Sequence, residues 1–396
     1  MDKKCFVVNP GSASKKYALY SIDKEILRAH FENEDSGFIV TLVINNKPEK
    51  IKLTEDDYRQ STRYLINLLL QRNIITDKND IQAIGLRLVA PGSYFAQHRI
   101  IDKGCLDKLE SIRQEAPLHI NPIIEEIRNL QISLFDIPIV GISDSAFHAT
   151  MPDTSRLYAL PMETSEKLDI YRFGYHGISL QSITNKIKKL LGNIPPKTII
   201  CHLGSGSSIT ALKNGQSFDT SIGFTPLEGL PMSTRIGDID AGAIIYLAQK
   251  MGFDYPELEN YLNTECGLLG ISGQSDDIRK LLKLETGGNK RAKLALELFV
   301  YRIKKYIGSY TAALNGLDLL IFSATVGERS FIIRDRICAN LDTFGIILDQ
   351  TKNNKTISQN GFIHKVSLFN KTKIAVITTD EMNEIFQETK KLLLKT

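Results

Sequence analysis

Residues 198–212 read Thr-Ile-Ile-Cys-His-Leu-Gly-Ser-Gly-Ser-Ser-Ile-Thr-Ala-Leu, and the reading of this stretch decides the fold. Thr198 to His202 is a short apolar run, Leu203 to Ser208 a turn rich in glycine and serine, and Ile209 to Leu212 a second apolar run that ends at Lys213-Asn-Gly215. Short apolar runs bounded by turn residues predict buried strands, and Asn-Gly is a strong hairpin signal. The same device opens the chain, where Cys5 to Val8 leads through Asn9-Pro-Gly-Ser-Ala-Ser14 into Lys16 to Tyr20. Two strand-turn-strand units, one starting at residue 5 and the other at 198, point to a duplicated lobe.

Outward from these units the periodicity alternates. Helical spacing is expected over Asp56 to Gln71 and Pro122 to Leu130, and short buried strands over Ile84 to Val89 and Ile137 to Ile142. In the second half, helices are expected at Ala241 to Met251, Asp277 to Leu284 and Arg291 to Asn315. Strands are expected at Leu319 to Ser323 and Lys373 to Thr378, and a terminal helix at Glu381 to Leu394. The mixture is α/β. A chain of 396 residues exceeds the size at which one core stops growing, so two lobes sharing a cleft are expected.

Composition narrows the function. Hydrophobic residues make up 42% and charged residues 24%, as in a globular enzyme. The 49 Lys plus Arg against 45 Asp plus Glu leave a net +4 without charge runs, which argues against nucleic acid or a membrane surface as partner. Five cysteines (Cys5, Cys105, Cys201, Cys266, Cys338) are far apart with no C-x-x-C pair, so neither a disulfide framework nor a zinc site is indicated. No run approaches the roughly 18 apolar residues of a membrane span. The expectation is a cytoplasmic enzyme acting on small molecules.

The first turn offers backbone amides, the Ser12 and Ser14 hydroxyls and the Lys16 ammonium directly after a strand, a candidate phosphate cradle; a plain hairpin is the competing reading. It is not a Walker A loop. The second turn, His202 to Ser208, has the small residues that let amides approach a polyphosphate, but Ile209 stands where a dinucleotide fingerprint needs its third glycine.

The segments V-V-N-P-G-S-A-S-K-K, E-A-P-L-H-I-N-P, D-S-A-F-H-A-T-M-P, Y-R-F-G-Y-H-G-I-S, H-L-G-S-G-S-S, F-D-T-S-I-G-F-T-P-L-E-G-L, S-T-R-I-G-D-I-D, C-G-L-L-G-I-S-G and T-T-D-E run in this order from residue 7 to 381. In order and spacing they resemble the acetate kinase family. The resemblance implies two related ribonuclease H-like lobes of the actin-like ATPase type with the active site in the cleft between them. It divides the chain into 1–148, completed by a C-terminal helix 382–396, and 149–381. It also implies reversible transfer of the γ-phosphoryl of ATP to acetate, with ADP and acetyl phosphate as products, a Mg2+ or Mn2+ ion, and a homodimer.

A carboxylate attacking a phosphate brings two anions together, so catalysis must hold them in line and neutralise charge. Arginine forks suit that task. Taken alone an arginine is a solvated surface residue, but Arg87 lies inside an apolar strand, where burial without an anion is costly. By resemblance Arg87 and Arg235 are the active-site arginines, His176 stabilises the phosphoryl group in flight, His119 is a second active-site histidine, and Asp144 orients Arg87 or assists placement. Asn9 and Glu381 are the implied metal ligands, although Glu381 also reads as a first-turn helix acid. Val89, Leu118, Tyr175 and Pro226 form the implied acyl pocket. His202, Gly204, Ser205, Gly206, Asp277, Ile278, Arg279 and the turn Thr325, Val326, Gly327, Glu328, Arg329 are the implied nucleotide contacts.

Several positions depart from that pattern. Tyr175 stands where relatives have Phe, and its hydroxyl is expected to narrow or polarise the pocket. Ser205 replaces an asparagine, Leu88-Val-Ala-Pro-Gly92 replaces V-H-G-G, and Thr325 and Arg329 replace glycine and asparagine. The donor reading therefore stays open between ATP and pyrophosphate. The acceptor stays open between acetate and propionate or butyrate, and a catalytically impaired regulatory homologue is a third alternative.

Overall fold

The computed structural model describes residues 4–11, 14–34, 37–113, 117–365 and 372–393, the side chains of 117–119 excepted. It divides into two compact units, Met1–Ala146 with Asp380–Thr396, and Phe147–Thr379. The first division thus falls two residues before the expected 148, and Glu381 belongs with the first unit.

The first unit is built on an eight-stranded sheet ordered β5-β4-β3-β2-β1-β6-β8-β7. Its strands are β1 (Lys4–Pro10), β2 (Ser14–Ser21), β3 (Lys24–Glu34), β4 (Gly37–Ile44), β5 (Lys47–Leu53), β6 (Ile81–Leu88), β7 (Arg99–Ile100) and β8 (Ile139–Ser143). β1 to β5 form an antiparallel meander, while β6 and β8 run parallel to β1. Alternation drives the meander: Leu27, Ala29 and Phe31 are buried with Val40 and Leu42, while Arg28 faces out. Asn45 and Asn46, both left-handed, close the β4–β5 hairpin. The edge strand β5 is lysine-rich and carries Pro48, which discourages pairing with another chain.

Helix Glu381–Leu393 packs on β1, β6 and β8. Its approach depends on Gly85, where a Cβ would sit 2.3 Å from Thr389 Oγ1 and 2.9 Å from Ile385 Cγ2. The expected helix over 56–71 is two helices, Glu55–Arg59 and Ser61–Gln71. Thr54 closes a capping box on the first, and the backbone breaks between them at Gln60.

The second unit repeats the plan. Its sheet is ordered β11-β10-β9-β12-β14-β13, with β9 (Lys197–Leu203), β10 (Ser207–Lys213), β11 (Gln216–Thr220), β12 (Leu319–Ser323), β13 (Gly361–Phe362) and β14 (Lys373–Val376). β9 pairs antiparallel with β10 and parallel with β12, which pairs parallel with β14. That is the arrangement of β1 with β2, β6 and β8. The long helix Lys290–Ala313 buries Ala295, Phe299, Ile303 and Ile307 over this sheet, and helix Gly177–Leu191 contributes Leu180, Ile183 and Ile187 to a second apolar cluster with Ile200 and Ile321.

Candidate active site

In an open α/β sheet ligands bind beyond the carboxyl ends of parallel strands. In the first unit those ends deliver Asn9 from β1, Arg87 from β6 and Asp144 just after β8. Arg87 NH2 donates to Asp144 Oδ2 at 2.8 Å and NH1 to Asn9 Oδ1 at 3.3 Å, while Asn9 Nδ2 donates to Glu381 Oε2 at 3.0 Å. Asp144 is buried at 1% exposure, and Arg87 is half-buried. Burial works against the Arg87 charge, but Asp144 and Glu381 outweigh it and raise its pKa. The guanidinium is therefore always charged. Its Nε is buried without a hydrogen-bond partner, as is the Ser145 hydroxyl next to Asp144. Buried orphan donors are uncommon in folded proteins and invite a ligand.

Around this cluster, Val89 is half-buried against the first core. Ser14 is half-buried, with its carbonyl accepting from Gly11 N, and Lys16 is exposed. Its neighbour Lys15 is committed elsewhere, to Glu126 Oε2 at 3.2 Å. Ser12 and the side chains of Leu118 and His119 lie outside the described residues.

The second unit assembles another cluster at its strand ends. His176, left-handed at φ 63°, caps helix Gly177–Leu191, and its Nδ1 is 3.0 Å from Ser208 Oγ. A non-glycine residue held in that conformation is strained, a feature that concentrates at functional sites. His202 at the end of β9 stacks on it with ring centroids 4.1 Å apart, and its Nδ1 is 2.8 Å from Ser179 Oγ. A Cβ on Gly206 would lie 3.2 Å from His176 Nε2 and 3.8 Å from Arg235 NH1, so glycine keeps the space beside the imidazole and the guanidinium clear. Ser233 N donates to Ser205 O at 3.1 Å, tying the arginine loop to the turn.

The nucleotide candidates separate into two groups. Gly204 approaches Ala324, which stands left-handed (φ 62°) at the start of helix Ala324–Arg329. On that helix Gly327 is buried, Val326 and Glu328 are half-buried, and Thr325 and Arg329 are exposed. Glu328 Oε1 accepts from Thr379 N at 3.0 Å, and burial raises its pKa. Asp277, Ile278 and Arg279 instead form a helix start of their own. Asp277 caps Ile278–Thr286, Ile278 is buried, and the exposed Arg279 folds back on Asp277 at 2.6 Å. Tyr175 is buried, and its hydroxyl donates to Phe224 O at 2.8 Å, in the loop that carries the buried Pro226.

The sequence matches the model of the Acetokinase family over residues 4–387. The chain belongs to the acetokinase family. It is a phosphotransferase with a carboxyl group as acceptor. It is 37% identical to an acetate kinase of Bacteroides thetaiotaomicron over 400 residues, covering 99% of this chain and all of the relative. Among solved structures it resembles Porphyromonas gingivalis acetate kinase (TM-score 0.87, 32% identity, 99% of this chain and 100% of that one). It also resembles a propionate kinase of Francisella tularensis (TM-score 0.89, 35% identity, 98% and 99%).

Within this acetokinase several supporting residues were not read from the sequence. Ser208 orients His176, and Arg172, Tyr158 and Glu228 build a half-buried network that reaches the Phe224 loop. Arg334, fully buried, spends all five N–H groups on oxygens of Gly327, Glu328, Asn353 and Thr356, bracing the helix that follows β12. Burial without a carboxylate lowers its pKa to about 10. Arg172 and Glu228 sit inside motifs quoted above, but neither spacing nor residue type reveals a contact made between segments distant in sequence.

Proposed function

We propose that this acetokinase transfers the γ-phosphoryl group of ATP to acetate, reversibly and by direct attack. Acetate is ionised at neutral pH, so no general base is required. A carboxylate oxygen forms a bond to the γ-phosphorus while the bond from that phosphorus to the bridging oxygen breaks, and ADP departs with the electron pair. The observation that carries the reading is the Arg87 fork. Asp144 and Asn9 hold two of its nitrogens, and the third is a buried donor suited to an anionic oxygen. On this reading Arg87 binds the acid, while Arg235 and His176 stabilise the phosphoryl oxygens as charge spreads over them. His202, Gly204, Ser205 and Gly206 cradle the phosphates, and the turn 325–329 with Asp277, Ile278 and Arg279 contacts the nucleoside.

Asn9 Oδ1 and the Glu381 carboxylate are hard oxygen donors, and no group of three or more His, Cys, Asp or Glu suited to a metal occurs among the described residues. Hard oxygen donors of this kind suit Mg2+ or Mn2+, ions that keep waters and phosphate oxygens in their shells. When bound, the ion neutralises charge on the phosphate chain.

We place the enzyme in the cytoplasm on its free cysteines; among the described residues no helix is long and apolar enough to cross a membrane. We also infer a homodimer. Helix Ala241–Met251 buries no residue within the chain, and Ile245, Tyr246 and Met251 are exposed on it. Ile245→Glu is expected to convert a dimer to a monomer by light scattering, and a wild-type chain that is monomeric at all concentrations removes this inference.

Trapping acyl phosphate as the hydroxamate, with acetate, propionate and butyrate and with ATP and then pyrophosphate, tests acceptor and donor together. ATP with acetate is expected to give the highest kcat/KM. No acyl phosphate from any pair refutes the reading.

A further inference from the structure

After β6 the chain departs from the family pattern at Leu88-Val-Ala-Pro-Gly92, then runs through residues 93–98 before β7 brings it back onto β8. The loop is braced internally: Arg99 Nε donates to Tyr94 O at 2.7 Å, and the guanidinium lies over the Tyr94 ring at 3.7 Å. It grips the end of β8 at two points. The Ser143 hydroxyl donates to Phe95 O, and Ser143 N donates to His98 Nδ1 at 3.1 Å. Ser145 N in turn donates to Ser143 Oγ at 3.1 Å, and Asp144 N to Leu88 O at 2.9 Å. Ser143, Asp144 and Ser145 are all buried. The backbone around Asp144 is thus tied down from this loop, and the Asp144 carboxylate accepts from Arg87 NH2 at 2.8 Å.

To accept from Ser143 N, His98 Nδ1 must carry no proton, so the ring is neutral with its hydrogen on Nε2. An imidazolium has two donors and no acceptor, and turning the ring over does not supply one. Protonation therefore sets N–H against N–H and strands a backbone donor inside the protein, which is costly. The charges that face the ring come from helix Glu381–Leu393: Glu388 Oε2 is 3.9 Å from His98 Nε2, and Lys391 Nζ donates to Glu388 Oε1 at 2.5 Å. On the β8 side the nearest charge in sequence, Asp144, is turned to Arg87, and in the loop itself Arg99 is turned to Tyr94. Burial, and Lys391 with it, lowers the His98 pKa from 6.5 against the opposing pull of Glu388. We propose that His98 is a positioning residue for the phosphoryl transfer: neutral, it holds Ser143 so that Asp144 aligns the Arg87 fork on the acid, and protonated, it lets that alignment go. This rests on the carboxylate-kinase reading of Arg87 and adds a residue and a pH response to it.

The test is kcat/KM for acetate between about pH 5.5 and 8 in wild type, His98→Asn and Glu388→Gln, with NMR titration of labelled histidine rings and a thermal melt of each protein. Asparagine offers an amide oxygen near the position of Nδ1 that no proton can block. Wild type is expected to lose about tenfold in kcat/KM as pH falls through the His98 value, and His98→Asn less than about threefold over the same range. Glu388→Gln removes the charge that favours the imidazolium, so the kinetic midpoint and the His98 NMR midpoint should move together to lower pH. An acid limb unchanged in His98→Asn, or an NMR midpoint that does not coincide with the kinetic one, overturns the proposal. A purely structural histidine lowers the melting temperature on acidification and leaves kcat/KM of the folded enzyme alone, and that result overturns it too. Should His98→Asn not fold, Glu388→Gln decides, because a kinetic limb that stays while the NMR midpoint moves refutes the coupling. A wild-type enzyme inactive on every acid at each pH removes the carboxylate-kinase reading and this inference with it; an active one with unmoved profiles removes the inference alone.

Discussion

Arg87→Lys isolates the fork from the charge. Lysine keeps a cation opposite Asp144 but has one nitrogen where arginine has three. The structure shows what is lost: the NH1 bond to Asn9 at 3.3 Å, and the buried Nε donor assigned to the acid. A long bond to a neutral amide is worth about 1 kcal/mol and a charge-assisted bond to a carboxylate about 1.5–3 kcal/mol. Together they amount to about 2.5–4 kcal/mol, or a loss in kcat/KM for acetate on the order of 10² to 10³-fold at about 1.4 kcal/mol per decade. Global stability should change little, because the buried Asp144 keeps a counter-charge. Steady-state hydroxamate trapping, with a thermal melt of the same preparation, measures both. A variant within fivefold of wild type in kcat/KM refutes the idea that fork geometry, rather than charge alone, drives the chemistry.

Other expectations concern the second cluster and the pH response. Arg235→Ala should lower kcat at least a hundredfold while nucleotide affinity by calorimetry stays near wild type; wild-type-like turnover removes Arg235 from the mechanism. Gly267→Ala should lower kcat more than tenfold. Gly267 is left-handed (φ +60°), and a Cβ there would lie 2.2 Å from Met232 O and 2.7 Å from Arg235 O, forcing the arginine loop to shift. Kinetics matching wild type would show the loop indifferent to that shift. Burial lowers the His98 pKa below its ordinary 6.5 despite Glu388 nearby, and its Nδ1 accepts from Ser143 N at 3.1 Å, next to Asp144. The unfolded chain then takes up a proton near pH 6.5 before the folded one does. This contribution to stability is complete above that pH and is lost as pH falls through the lower folded value. Urea midpoints at pH 7.5, 6.5 and 5.5 should decline on acidification, and His98→Gln should flatten the decline; an unchanged slope assigns the acid sensitivity elsewhere.

Legibility differed between elements for physical reasons. Buried parallel strands such as β9 and β12 are nearly continuous apolar runs, so residues 198–202 and 319–323 could be read directly. The meander strands β3 to β5 were not read, because one face is solvated and lysines, arginines and glutamates dilute the alternation. Gln60 breaks an apparently continuous helix through its backbone alone, which periodicity does not register. The partner of the Tyr175 hydroxyl could not be read from residue type, because its acceptor, Phe224 O, is 49 residues away along the chain.

Residue types, strand-turn spacing and the ordered motifs suffice to specify the duplicated α/β plan, the family and the charged groups available for chemistry, because these depend on local patterns of polarity and turn propensity. Which groups touch was decided only by folding. The parallel register that brings Asn9, Arg87 and Asp144 to adjacent strand ends, the glycine that admits the helix carrying Glu381, and the left-handed His176 against Gly206 all arise from close packing between segments distant in sequence.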